Sequence, residues 1–125
     1  MDKKILKECI STCNRCAALC TDAVAICLQR DGVGDLTRFM RAAMECSAMC
    51  RATAEMLALE SAFAPDLCKL CADICKNCAD EYQALIIPDK SFLYDCSEQC
   101  RLAARTCMIM FSEDSALPGI PQMTV

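Results

Sequence analysis

The residues with the most chemistry in this chain are its cysteines: there are 14 among 125 residues, and there is no histidine. Without histidine, the chain has no Ser-His or Cys-His catalytic pair and no imidazole metal ligand. The thiol chemistry that remains is metal binding, disulfide formation or reversible oxidation. The sequence therefore predicts a protein that is not an enzyme and that works through its thiols.

The cysteines are spaced so that each set falls on one face of a helix. Within each predicted helix, every gap between neighbouring cysteines is three, four or seven residues, which matches the a and d positions of a heptad. Since a and d positions face the interior of a helical bundle, all the thiols are expected to point inward along one axis. The predicted metal ligands are Cys9, Cys13, Cys16, Cys20, Cys27, Cys46, Cys50, Cys68, Cys71, Cys75, Cys78, Cys96, Cys100 and Cys107.

Four helices are predicted to carry these cysteines, in a single domain over residues 1–125. Strand-type alternation is absent, and the short connections make neighbouring helices antiparallel. The predicted fold is therefore all-α, an antiparallel up-down-up-down four-helix bundle. The expected helices cover about 2–29, 36–61, 65–85 and 90–112, with a flexible tail at about 114–125.

The ends of the predicted helices carry typical capping residues. Asp35 is expected to cap the second helix by accepting from its free first-turn N–H groups. Pro65 has no N–H to lose and fits the first turn of the third helix. Asp89 or Ser91 is expected to cap the fourth.

Composition excludes several classes of partner. The net charge of −4 makes nucleic acid an unfavourable ligand. No stretch approaches the roughly 18 to 20 uninterrupted apolar residues of a membrane span. The start of the chain has neither a long apolar stretch nor a small-residue cleavage site, so no signal peptide is expected there. Cysteines in a chain without export signals favour metal or redox work in the cytoplasm over a disulfide scaffold.

Structural uses of so many thiols fit the pattern less well. Free cysteine is often a small buried apolar residue, but a core built mostly of it is underfilled. Even single Leu-to-Ala truncations in a core cost roughly 2.7–5 kcal/mol. Neighbours one turn apart on a helix have Cβ atoms about 5–6 Å apart, whereas a disulfide needs about 3.8 Å. Only bridges between helices remain, and many would compete.

Cu(I) suits the pattern best among the functional uses. It is a soft ion selected by thiolates, and two or three ligands complete a site, so thiols one turn apart or on facing helices suffice. One Cu(I) per thiolate leaves the interior neutral, whereas uncompensated thiolates in a dry core are prohibitive. The sequence predicts about one Cu(I) per cysteine, about 14 per chain.

Two alternatives stay open at this point. Zinc or another soft metal can use thiolates, although structural zinc commonly takes four ligands from knuckles or loops, and iron–sulfur sites usually have some ligands on turns. A thiol-redox buffer or sensor can use the same cysteines. It requires at least one exposed cysteine of low pKa beside a resolving partner.

A short motif ties these cysteines to a known family. The pattern C-x2-C-A-x2-C occurs at residues 13–20 and again at 68–75. With cysteines facing inward from all four helices, the chain resembles the four-helix-bundle copper storage proteins, especially the cytosolic bacterial branch, over residues 2–112. The resemblance implies an interior in which all 14 cysteines hold many Cu(I) ions, in a protein usually assembled as a homotetramer. Tyr82 and Ala103 stand where such proteins often have further cysteines, and the histidines frequent in cytosolic members are missing.

The thiols are not expected to be evenly distributed along the bundle. Antiparallel pairing places Cys46 and Cys50 level with residues 13–20, so the densest zone is central. Toward the turn at residues 32–34 the interior is expected to hold only Cys27, so copper should thin out there.

Methionines flank both ends of the predicted interior, with Met40 and Met44 at one end and Met56, Met108 and Met110 toward the other. A thioether is a soft, weak ligand able to hand over an ion. Core filling or an oligomer face is the commoner use of such residues. A subunit interface is also one interpretation of three apolar residues outside the a and d set of the third helix, Leu67, Leu70 and Ile74.

Overall fold

Four long helices make up the fold, in a computed structural model that describes residues 2–30 and 32–116. There is no strand in these two segments. Short 3₁₀ turns, Val33–Leu36 and Ser91–Leu93, precede the second and fourth helices. The helices are α1 (Lys3–Leu28), α2 (Thr37–Ala58), α3 (Ala64–Ala84) and α4 (Tyr94–Ala116).

The helices form an antiparallel bundle in which α1 and α3 each pack against both α2 and α4. The start of α1 meets the end of α2, where Lys3 Nζ lies 2.9 Å from a carboxylate oxygen of Glu60. Further along the pair, at the middle of α2, the hydroxyls of Thr21 and Ser47 lie 2.9 Å apart. Residue numbers thus rise on one helix as they fall on its neighbour, and the predicted all-α, up-down-up-down bundle is confirmed.

The first connection differs from the prediction. Asp35 does not cap α2: it lies inside the 3₁₀ turn, and its backbone N–H donates to the Gly32 carbonyl oxygen at 3.1 Å. Gly32 has φ of +75°, a left-handed conformation that glycine adopts without steric cost. The turn that it starts delays α2 to Thr37, and Leu36 before it makes no side-chain capping bond.

The remaining caps agree better with the sequence. Pro65 lies in the first turn of α3, as predicted. Asp89 Oδ1 accepts from the Ser91 N–H at 2.9 Å, but this bond starts the 3₁₀ turn, so α4 begins four residues later than expected, at Tyr94 rather than about 90. Lys90 Nζ donates to carbonyl oxygens at the end of α3, and it lies 3.0 Å from the carbonyl oxygen of Tyr82. These bonds stabilise the end of the helix.

The end of α4 lies beyond the predicted position. The helix continues to Ala116, so both its predicted end at about 112 and the predicted start of a flexible tail at about 114 are too early. The rest of that predicted tail, residues 117–125, lies outside the described part of the chain. Within the described part, no helix is long and apolar enough to cross a membrane.

The core of the bundle is a column of cysteines closed by larger apolar side chains. All 14 cysteines are buried. Phe39 and Leu93 are fully buried near the first connection, whereas Leu57 and Met110 are fully buried toward the opposite end. Since cysteine is smaller than these residues, the bulk that holds the helices together lies at the two ends, and the thiols line the space between them.

Candidate metal centre

The thiol column has its most crowded point at Cys46 on α2. The sulfur of Cys46 lies 3.7 Å from that of Cys16 and 3.8 Å from that of Cys100. It lies 3.5 Å from the sulfur of Cys75 and 4.0 Å from that of Cys50 on its own helix. One side chain therefore contacts thiols on α1, α3 and α4, which confirms that the densest zone is central.

The contacts continue toward the end of the bundle where α1 begins. Sulfur–sulfur distances are 3.7 Å between Cys50 and Cys71 and 3.6 Å between Cys13 and Cys107. Cys9 extends the row, with its sulfur 3.9 Å from that of Cys107. The path of thiols from the centre to this end alternates between helices, so no single helix holds the site.

The contacts also continue in the opposite direction. The sulfur of Cys20 lies 3.7 Å from that of Cys100 and 3.6 Å from that of Cys96. Cys100 is shared with the centre, because its sulfur also lies 3.8 Å from that of Cys16. Thiols on α1 and α4 therefore carry the column past the level of Cys46.

Thirteen of the 14 predicted ligands fall into five groups. Within each group, every sulfur atom lies within 4.8 Å of the others. Three of these groups have four thiols and two have three, and every member is buried. Shared thiols connect four of the groups, and the 3.6 Å contact between the Cys13 and Cys107 sulfurs connects the fifth. The groups are Cys16/Cys20/Cys46/Cys100, Cys16/Cys46/Cys50/Cys75, Cys20/Cys78/Cys96/Cys100, Cys9/Cys68/Cys107 and Cys13/Cys50/Cys71.

Cys27 is the predicted ligand that the structure sets apart. It is fully buried on α1, near the first connection, but it belongs to none of the five groups. Burial raises the pKa of its thiol, against the opposing effect of the Arg30 charge. This placement agrees with the expected thinning of thiols at this end of the bundle.

The grouped thiols modify one another's protonation. Hydrogen bonding, first with Cys16, raises the pKa of Cys75, and burial adds to the effect. The pKa of Cys100 is raised in the same way, again first by Cys16. In contrast, hydrogen bonds to the sulfur of Cys46, first from Cys100, lower the pKa of Cys46. Neutral S–H groups are therefore favoured at Cys75 and Cys100, since an unpaired thiolate in this dry interior is costly.

The arrangement suits soft metal ions better than disulfides. All 14 cysteines are free thiols, and even the close sulfurs of Cys46 and Cys75, 3.5 Å apart, are far from the roughly 2.05 Å of a disulfide bond. Redox sensing requires an exposed thiol of low pKa, and none of the 14 is exposed. What the interior offers is a set of adjacent sulfurs from four helices, which is the ligand set that soft ions select.

The predicted flanking methionines have mixed positions. Met110 is fully buried, three residues beyond Cys107 on the same face of α4. Met44 and Met108 are exposed by 60% and 41%, and Met40 and Met56 are partly buried. Exposed thioethers do not line the column, so Met110 is the one best placed to belong to the interior.

Two buried hydroxyls among the helices, those of Thr53 and Ser97, have no hydrogen-bond partner in the described part of the chain. Thr53 lies three residues beyond Cys50 on the interior face of α2 and is fully buried. The heptad spacing identifies Thr53 as an interior residue, but it gives no sign that its hydroxyl is unsatisfied.

Comparison with known proteins agrees with this geometry. The sequence model of the copper storage protein family matches residues 2–112 of the chain. Among curated proteins, the cysteine-rich protein YhjQ of Bacillus subtilis is 28% identical over 106 residues, which cover 78% of this chain and 94% of the relative.

Solved structures give the same result. The cytosolic copper storage protein of Streptomyces lividans with five coppers is 30% identical and superposes with a TM-score of 0.83, covering 89% of this chain and 95% of that one. The Cu(I)-bound copper storage protein BsCsp3 is 27% identical with a TM-score of 0.78, covering 85% of this chain and 97% of that one. The family match spans all four helices, with their column of buried thiols, and on this basis the chain belongs to the copper storage protein family.

Proposed function

We propose that this protein stores Cu(I) as many thiolate-bound ions inside its helical bundle. The observation that carries the proposal is the connected set of buried thiols. Thirteen cysteines form five groups, of which four share members, and the fifth is joined to them by the 3.6 Å contact between the Cys13 and Cys107 sulfurs. Support comes from family membership and from the Streptomyces lividans relative, whose structures hold five coppers or ten copper equivalents. A single discrete site would not need 13 thiols drawn from all four helices.

The chemistry of the ion matches the chemistry of the interior. Cu(I) is soft and is bound by thiolates, and each ion that replaces one proton leaves the interior without net charge. Because Cys16 and Cys46 each belong to two of the groups, their sulfurs are placed to bridge neighbouring ions. Storage as polynuclear copper–thiolate clusters follows from this sharing.

The proposed copper ligands are the thiols in the five groups. Cys27 lies apart from them and is proposed to fill the core near Phe39 and Leu93, not to join a cluster. The proposed ligands are Cys9, Cys13, Cys16, Cys20, Cys46, Cys50, Cys68, Cys71, Cys75, Cys78, Cys96, Cys100 and Cys107.

Storage without turnover is proposed to take place in the cytoplasm. The Streptomyces lividans relative is named a cytosolic copper storage protein, and free thiols persist in a reducing compartment. The thiols of the interior bind and release ions and take part in no catalytic step.

A homotetramer is proposed for the assembled protein. The outer face of α3 carries Leu70, which is 49% exposed, beside the partly buried Ile74, and Phe63 just before the helix is 61% exposed. Apolar side chains grouped on one face are typical of protein interfaces. The family resemblance gives the expected number of copies.

Copper capacity is the first prediction. Anaerobic titration of the reduced protein with Cu(I) against a chromophoric chelator should saturate at about one ion per grouped thiolate, close to 13 per chain. Replacing Cys46 and Cys50 together by alanine should lower capacity by at least the two ions that those thiolates neutralise. Cys27→Ala is the matched control, also a buried cysteine, and should keep the wild-type capacity. Saturation of the wild-type chain at the few ions of a discrete site would contradict storage.

The second prediction concerns pH. The raised pKa values of Cys75 and Cys100 keep those thiols protonated at neutral pH, so protons compete with Cu(I) for the sulfurs. Affinity should therefore fall as the pH falls, by up to about tenfold per pH unit for each proton that an ion displaces. The measurement is the same competition titration repeated at several pH values, with the chelator's own pH dependence subtracted. An affinity that does not change with pH would mean that the thiols are already ionised.

The third prediction is the assembly state. Light scattering coupled to size exclusion should give about four times the chain mass of 13.7 kDa. Leu70→Glu should shift the protein to smaller species, because it places a charge on the proposed interface. Ile86→Glu changes an apolar residue that is 98% exposed in a connection and should leave the mass unchanged. A monomeric wild-type protein would rule out the tetramer.

A further inference from the structure

The three groups of four thiols form a row in which neighbouring groups share an edge. Cys16 and Cys46 belong to both the first and the second group, and Cys20 and Cys100 belong to both the first and the third. Eight thiols thus enclose three adjacent positions along the bundle axis. The eight are Cys16, Cys20, Cys46, Cys50, Cys75, Cys78, Cys96 and Cys100.

The spacing of these sulfurs matches tetrahedral coordination. Four thiolates at about 2.3 Å from a central ion lie roughly 3.8 Å from one another. In the shared central group, the sulfur of Cys16 lies 3.7 Å from that of Cys46 and 3.8 Å from that of Cys100. The sulfur of Cys100 lies 3.7 Å from that of Cys20 and 3.8 Å from that of Cys46. Four of the six edges of this tetrahedron therefore have the required length before any ion is bound.

The second group has similar dimensions. The Cys75 sulfur lies 3.5 Å from those of Cys46 and Cys50, and the Cys46 and Cys50 sulfurs lie 4.0 Å apart. These distances bracket the tetrahedral value. Small side-chain rotations, without helix movement, would equalise them.

We propose that the three groups of four thiols bind divalent, thiolate-seeking ions that prefer four ligands, with Zn(II) and Cd(II) as the chemical class. Each group supplies four sulfur ligands and is buried, so it leaves no open position for a water or a substrate. These divalent ions are a second cargo for the bundle, and they differ from Cu(I) in charge and in coordination geometry. The group Cys9/Cys68/Cys107 has only three thiols, so it suits an ion that accepts three ligands.

The charge left in the interior decides which of the two kinds of ion is bound more tightly. Three divalent ions on eight thiolates leave two negative charges in the interior, unless two of the thiols keep their protons. One Cu(I) per thiolate leaves none. Because net charge is costly in a dry core and soft thiolates favour Cu(I), Cu(I) should displace the divalent ions, and each thiolate passes from one ion to the other without taking up a proton.

Co(II) is a direct probe, because tetrahedral cobalt thiolates have visible absorption bands. Reduced apoprotein titrated anaerobically with Co(II) should develop these bands and saturate at three ions per chain. Cys46→Ala removes a ligand from two groups and should leave one ion, whereas Cys78→Ala affects one group and should leave two. Cys27→Ala, outside the groups, should still bind three.

The graded series of three, two and one decides the proposal. Each variant is first checked by circular dichroism for wild-type helix content, and the graded test uses those that retain it; the wild-type saturation value decides even if no variant does. Adding Cu(I) should abolish the cobalt bands. Absence of tetrahedral bands in the wild-type protein, saturation at another number, or equal values for folded variants would overturn the proposal. Normal Cu(I) capacity in the same samples would show that copper storage stands without it.

Discussion

The constraint on which this structure depends is the exclusion of charge from a dry interior lined with thiols. All 14 cysteines are buried, and burial disfavours the ionised form of a thiol. In the absence of metal, the raised pKa values of Cys75 and Cys100 keep protons on their sulfurs, whereas hydrogen bonds, first from Cys100, lower the pKa of Cys46. A monovalent ion that replaces each proton preserves neutrality, and for this reason a core that is adverse to thiolates becomes suitable for Cu(I).

Packing supports the same arrangement. A column of cysteines alone would be underfilled, because cysteine is smaller than leucine or phenylalanine. The bulk is supplied at the ends, by Phe39 and Leu93 near the first connection and by Leu57 and Met110 at the other end, all fully buried. The helices are therefore held by apolar contacts above and below the thiols, and the thiols between them remain available for metal.

The heptad spacing predicted most of this arrangement. Because a and d positions face inward in any bundle, the burial of every cysteine followed from spacing alone. Helix starts were less predictable: Asp35 looks like a cap in the sequence, but the left-handed conformation of Gly32 begins a 3₁₀ turn that contains it. The capping rule considers only the residues next to the helix, so it could not predict that a 3₁₀ turn precedes α2 and moves its start to Thr37.

The grouping of the thiols was beyond the reach of the sequence. Which sulfurs meet depends on the axial stagger of the four helices. Sliding one helix along its axis by a single residue, about 1.5 Å, would change the partners of Cys46. The separation of Cys27 was expected in outline, since the heptad spacing leaves it as the only interior cysteine toward the turn at residues 32–34. The sharing of Cys16 and Cys46 between two groups became visible only with the side chains in place.

The central claim is that the helices build the thiol column before any metal arrives, so that copper replaces protons and does not fold the chain. Far-ultraviolet circular dichroism of the reduced apoprotein and of the copper-loaded protein, recorded under the same anaerobic conditions, tests this directly. The account predicts equal and high helix content in both. A metal-free chain with a coil spectrum, which becomes helical only when Cu(I) is added, would contradict it.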